Sequence, residues 1–285
     1  MDAARIRKFI VNRLLIIGSA LLVVGILARV FENKMIYFPP RYPEGWTSPS
    51  VYHLQVEDIW LTAEDGVRIN AWFLANSASP KVLLWFHGNA ENLGMGLEQM
   101  KALSLLGTNI LAVDYRGYGK SDGSPDEVGV YRDGEAAYRY LVKTRHLTPR
   151  DLIIYGHSLG GAVATEIAFR HECGGLIVES SFTSIRDMAR HVMKIPFMEY
   201  FTKSRFDSIT KIAQIRTPVM IIHGREDKLI PFSMGERLYA AAHEPKTFLA
   251  TQSGHDDPYI RGGKEYWEHW KTFINGVRLQ PEHTE

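Results

Sequence analysis

The chain has 285 residues, 45% of them hydrophobic, and 33 Lys and Arg balance 32 Asp and Glu to a formal net charge of +1. That length suits one large α/β domain with a sizeable core, and charge this even, with no block of one sign, excludes an electrostatic case for nucleic acid. The single cysteine, Cys173, excludes an internal disulfide and a cysteine-rich metal site.

Residues 1–13 are basic, with Arg5, Arg7, Lys8 and Arg13, and lead into "LLIIGSALLVVGILARV", residues 14–30. Those 17 residues carry one charge, Arg29, near the end where it can snorkel. The run is at the short end of what a spanning helix needs. A cleaved signal peptide shares the basic start and apolar middle, but Ile26 and Ala28 make a poor small-x-small cleavage site, so a retained anchor is expected. A buried core helix fits less well, because no polar face interrupts the run. The positive-inside rule then places the N-terminus in the cytoplasm and the rest on the opposite side, whether periplasmic, lumenal or extracellular.

Residues 31–50 read as an extended linker whose rings, Tyr37, Phe38 and Trp46, either rest at the membrane interface or pack on the domain behind. The main domain is expected over 51–285. It opens with "VEDIWLTAEDGVRINAWFLA", two β-like runs around Glu64-Asp65-Gly66, an antiparallel hairpin. "KVLLWFH", "TNILAVD", "LIIYGH", "GLIVES", "PVMIIHG" and "KTFLAT" follow as short apolar runs rich in β-branched residues, with helical spacing between them at 125–145 and 161–171. That alternation predicts a mostly parallel sheet with helices on both faces and an antiparallel edge. The interval at about 183–216 is too long for one crossover. Its apolar residues, such as Met188, Val192, Met193, Ile195, Phe197 and Phe201, suggest a small helical cap that lines a pocket, packs on the core, or both.

In open α/β sheets ligands bind beyond the carboxyl ends of the strands, so the residues there carry the chemistry. Gly156-His157-Ser158-Leu159-Gly160 is a G-x-S-x-G elbow between an apolar strand and a helix, the context in which a serine is held clear of the sheet as a nucleophile. A serine hydroxyl needs a base, and His255, in "SGHDDP" after the last strand, is placed to supply it. His87 and His223 end strands and are expected to support loops; His157 is expected to point away from the serine's partner. The carboxylate that orients the base is assigned to Asp227, in preference to its neighbour Glu226 and to Asp256 and Asp257, which are too close in sequence to reach the far ring nitrogen. For a developing oxyanion the expected donors are the backbone N–H groups of Leu159 and Asn89. Asp114 and Arg116 read as a structural loop.

The motifs "HGNAEN", "DYRGYGKSDG", "GHSLGG", "HGREDKLIP" and "SGHDD" make residues 51–277 resemble the α/β-hydrolase superfamily. The basic start with its anchor, "KMIYFPP" and "KSRFDSITKIAQIRTPVMIIHG" are more narrowly similar to its membrane-anchored, serine-aminopeptidase-like members, whose relatives include protein depalmitoylases. The resemblance implies an eight-stranded sheet, a short cap and a Ser158–Asp227–His255 triad, without metal or cofactor. It leaves the substrate open, because members act on esters, thioesters and amides. The expected activity is hydrolysis of carboxylic ester or thioester bonds in a small-molecule, lipid or acylated-protein substrate. A serine peptidase and a non-catalytic binding protein are the alternatives.

Overall fold

The computed structural model describes residues 3–194 and 197–277. The apolar run is the middle of a longer helix, α1 (Ala3–Ile36), whose side chains over most of its length contact no other part of the protein. Among the described residues it is the one helix long and apolar enough to cross a membrane. Residues 31–36, expected as linker, are therefore helical. Good helix formers carry α1 past the apolar run, and it stops before Pro39 and Pro40, which disfavour helix in the residues ahead of them.

The rest of the linker packs on the domain. Tyr37 is buried against Phe206, and Trp46 lies edge-on to Trp72 with ring centroids 5.1 Å apart. Of the three rings only Phe38 stays largely exposed.

The hairpin forms as β1 (Val56–Thr62) and β2 (Arg68–Leu74), paired antiparallel. Then come β3 (Val82–Phe86), α2 (Leu97–Ser104), β4 (Asn109–Val113), α3 (Glu127–Arg139), β5 (Leu152–His157) and α4 (Leu159–Arg170). They are followed by β6 (Gly175–Glu179), α5 (Ile185–Met193), α6 (Ser208–Ile212), β7 (Val219–Gly224), α7 (Phe232–Ala241), β8 (Lys246–Thr251), α8 (Pro258–Arg261) and α9 (Gly263–Gly276). The eight strands stand in the order β1-β2-β4-β3-β5-β6-β7-β8. β2 pairs antiparallel with both its neighbours and every other pair is parallel. Strands β3, β5, β6 and β7 are buried at every position, which is why they read as unbroken apolar runs.

The sheet separates two cores. Residues of α3, α4, α6 and α7, such as Val130, Val163, Ile212 and Leu238, fill one; residues of α2 and α9, such as Met100 and Trp270, fill the other. This is the α/β-hydrolase fold. The strand order reverses at β3, so the loops after β3 and β5 lie side by side at one edge of the crevice.

The segment expected as a cap divides in two. α5 and a 3-10 turn (Met198–Tyr200) form the cap proper, whereas α6 packs against α4 and α7 with Ile212 and Ile215 buried. Met188, Val192, Met193 and Phe201 line a cavity below the cap, while Phe197 and Tyr200 face outward. Ile195, assigned to the cap, and residues 278–285, assigned to the end of the domain, lie outside the described residues.

Candidate active site

Ser158 sits between the last residue of β5 and the first of α4 with φ 54° and ψ −117°. A positive φ is disfavoured for a residue with a Cβ, and the packing enforces it. A Cβ on Gly156 would lie 2.0 Å from the Gly160 carbonyl oxygen, and one on Gly160 would lie 2.0 Å from that of Phe86. The two glycines thus let α4 start directly against the ends of β3 and β5. The Ser158 N–H donates to the Glu179 carbonyl (2.9 Å), and the Ser158 carbonyl accepts from Ser181 Oγ (2.7 Å).

The structure brings Ser158, Asp227 and His255 together from the ends of three strands. Ser158 Oγ is 3.0 Å from His255 Nε2, and His255 Nδ1 is 2.8 Å from Asp227 Oδ2. Asp227 Oδ1 accepts from the N–H groups of Leu229 and Ile230 at 2.9 and 2.8 Å. Burial pushes the Asp227 carboxyl up, but the His223 and His255 imidazoles and the Ile230 N–H outweigh it and hold it below the usual carboxylate range.

The two expected oxyanion donors come from adjacent loops. The Leu159 N–H opens α4, where it has no intrahelical acceptor. The Asn89 side chain is committed elsewhere: Nδ2 donates to the Ile36 carbonyl (2.6 Å), and Oδ1 accepts from Tyr118 Oη (2.6 Å) and the Phe38 N–H (3.1 Å). Any contribution of Asn89 to the site is therefore through its backbone. Both residues line the cavity that contains Ser158.

The supporting residues were only partly foreseen. His87 and His223 do hold loops: His87 lies 3.2 Å from Asp114, and His223 Nε2 donates to the Ile230 carbonyl at 3.0 Å. Arg116 joins Asp65 and Asp133, and Asp114 accepts from the Leu93 N–H, both structural. Contrary to expectation, His157 does not point away from the serine's partner: its ring centroid lies 5.0 Å from that of His255, and its Nε2 donates to the His255 carbonyl (2.9 Å), because the two loops pack together. The Glu91 carboxylate lies 3.7 Å from His157 Nδ1. Burial lowers the His157 imidazolium, but Glu91, with Glu179 behind it, outweighs burial and lifts it to about 9. Nothing in the spacing of Glu91 and His157 announces this pair, because only the packing of three loops makes them neighbours.

Two cavities of about 290 Å3 flank the site. The first is apolar and runs from Ser158 between Phe182, Met188 and Leu229 to the end of α1 at Ala28 and Glu32. The second is polar and lies beside Glu91, Gln99, His157, Glu179 and Asp256. Two of its carboxylates are engaged: Glu91 accepts from the Gly88 N–H, and Glu179 from the Tyr155 and Tyr266 hydroxyls, whereas Asp256 is exposed. His157, His255 and Asp256 have ligand atoms within 4.8 Å of one another. A cation held there would have to take His157 Nε2 from the His255 carbonyl or a ring nitrogen of His255 from Ser158 or Asp227.

An eight-stranded hydrolase sheet with a serine at its elbow, a histidine after the last strand and a carboxylate after the seventh defines the class, and the chain belongs to the α/β-hydrolase family. The family model described as serine aminopeptidase, S33, matches residues 77–211. The chain is 33% identical over 282 residues to the α/β hydrolase domain-containing protein WAV2 of Arabidopsis thaliana, covering 90% of this chain and 89% of that one. It is 34% identical over 226 residues to the human α/β hydrolase domain-containing protein 17B, covering 77% and 75%. Among solved structures, the esterase Pf2001 of Pyrococcus furiosus shares the fold with a TM-score of 0.66 at 24% identity, over 84% of this chain and 97% of that one.

Proposed function

We propose that this protein is a membrane-anchored serine hydrolase that cleaves carboxylic ester or thioester bonds through an acyl-enzyme. The observation that carries the reading is the continuous relay from Ser158 Oγ through His255 to Asp227, at 3.0 and 2.8 Å. Ser158 Oγ attacks the substrate carbonyl carbon while His255 Nε2 takes its proton. The oxygen gains negative charge, which the Leu159 and Asn89 N–H groups stabilise. His255 then returns the proton to the departing alcohol or thiol. A water attacks the acyl-enzyme by the same route and releases the acid. Asp227 holds the imidazole in the tautomer this requires and stabilises its charged form.

The apolar cavity supports an acyl group as the moiety bound beside Ser158. α1 supports anchoring, with residues 1–13 cytoplasmic and the domain opposite. An aminopeptidase needs a carboxylate pair to hold the substrate's amine, and of the carboxylates lining the polar cavity Glu91 and Glu179 are already bonded, which leaves Asp256 alone there.

Treating the full chain with a fluorescent fluorophosphonate tests the reading. The wild type is expected to label and Ser158→Ala and His255→Ala to stay dark, with ester turnover by Ser158→Ala lower by on the order of 10⁴-fold or more. A folded wild type that takes no label would leave a binding protein as the better account.

A further inference from the structure

The end of the anchor helix takes part in the site it tethers. With 34 residues at a rise of about 1.5 Å each, α1 is about 51 Å long, well beyond the about 30 Å of a bilayer's hydrocarbon core. Its surplus on the domain side does not stand free. Gly25 meets the Phe201 ring of the cap so closely that an added Cβ would be 2.6 Å from it. One turn on, Arg29 reaches the Phe201 carbonyl at 3.5 Å. Glu32, buried to 5% exposure, accepts the backbone N–H groups of Lys203 and Ser204 at 2.7 and 2.8 Å. Asn33 donates to the Pro125 carbonyl at 3.3 Å, and the Ile36 carbonyl accepts from Asn89.

These contacts have a common result. Ala28, Glu32, Met35 and Ile36 form one side of the apolar cavity whose floor is Ser158. A carboxyl group buried there needs hydrogen-bond partners, and the two N–H groups supply them, so the bond both seals the wall and fixes its distance from the cap. We propose that Ala28–Ile36 is the outer wall of the acyl pocket, latched to the cap by Glu32, so that the segment anchoring the chain also sets which acyl groups the site accepts. The inference rests on the serine-hydrolase reading above. It assigns Glu32 as a positioning residue and Ala28 as a determinant of acyl-chain length.

The test uses the full chain in phosphatidylcholine nanodiscs and a fluorophosphonate whose ten-carbon chain ends in a diazirine. After labelling and irradiation, crosslinks are expected on α1 between Ala28 and Ile36; crosslinks confined to α5 and the β7–α7 loop would overturn the wall. In parallel, kcat/KM is measured for p-nitrophenyl decanoate and acetate. Ala28→Phe, which fills the wall, and Glu32→Ala, which frees it, are each expected to lower the decanoate-to-acetate ratio about tenfold. Leu22→Phe, two turns further into the membrane, is expected to keep the wild-type ratio. Thermal melts establish that each variant is folded. An unchanged ratio in folded Ala28→Phe overturns the wall, and one in folded Glu32→Ala overturns the latch. A wild type that takes no fluorophosphonate overturns the hydrolase reading and this one with it, whereas a labelled wild type with unchanged ratios in the variants overturns this one alone.

Discussion

At Ser158 the backbone conformation costs an L-residue about 1–3 kcal/mol, and the neighbouring residue shows what surrounds that strain. His157 is buried beside Glu91 and holds the main chain of His255 from below, so the loop carrying the proposed base depends on a charged histidine. Its imidazolium is lifted to about 9, above the about 6.5 of an unfolded chain. The folded state therefore holds this proton more tightly, and the resulting stability is complete below pH 6.5 and lost as pH rises through 9. Urea midpoints of the wild type are expected to fall between pH 6.5 and 9.5, and His157→Gln, which keeps an N–H donor but no charge, to lack that fall. Parallel pH slopes in the two proteins would remove the ion pair as its source. Ser158, His255 and Asp227 were legible in the sequence because each lies in a short motif at a strand end. His157 was legible as part of the elbow but not as a support, since its partner Glu91 comes from a different loop.

Among the elements, the strands were the easiest to read and the cap the hardest. Strands buried on both faces leave short unbroken apolar runs, as a parallel interior requires. The cap has no such pattern, because its return segment is held by side chains from other helices. Glu32 of α1 takes the N–H groups of Lys203 and Ser204, and Glu127 of α3 takes those of Arg205 and Phe206, all at 2.7–2.8 Å. Four successive backbone donors thus meet two carboxylates far away in sequence. Glu127→Ala removes one of them, leaving the Arg205 N–H to water and the N–H of buried Phe206 without a partner, at a cost of about 1–3 kcal/mol. Hydrogen exchange at residues 205–206 is expected to speed up in that variant while β5 and β6 keep their protection. Unchanged exchange there would mean that the surrounding packing, such as Phe206 against Tyr131, holds the segment without the carboxylate.

On the scale of the whole molecule, the proposed anchoring by α1 would give an enzyme-like domain a fixed position. Arg5, Arg7, Lys8 and Arg13 precede the apolar stretch, while the domain side carries Arg29 and Lys34 next to Glu32. This asymmetry favours the N-terminus in the cytoplasm. In sealed vesicles of known orientation, protease added on the cytoplasmic face is expected to leave residues 51–277 intact. Digestion of the domain from that face would reverse the topology. Under the anchoring proposed above the placement also bears on access: the last turns of the same helix line the apolar cavity, so molecules at the bilayer surface are expected to meet it first.

The sequence by itself determined the eight strands, the elbow and the order serine, aspartate, histidine, because these depend on local periodicity and on residues a few positions apart. It also marked an apolar segment, but ended it at Val30, with only Phe31 before the polar run Glu32-Asn33-Lys34 begins. Tertiary structure alone decided that α1 continues to Ile36 and walls the cavity. The partners that make Glu32, Asn33 and the Ile36 carbonyl acceptable there come from residues 203, 204, 125 and 89. A polar residue in a sequence reads as the end of a buried or membrane-facing stretch, and only the fold supplies the hydrogen bonds that let it remain inside one.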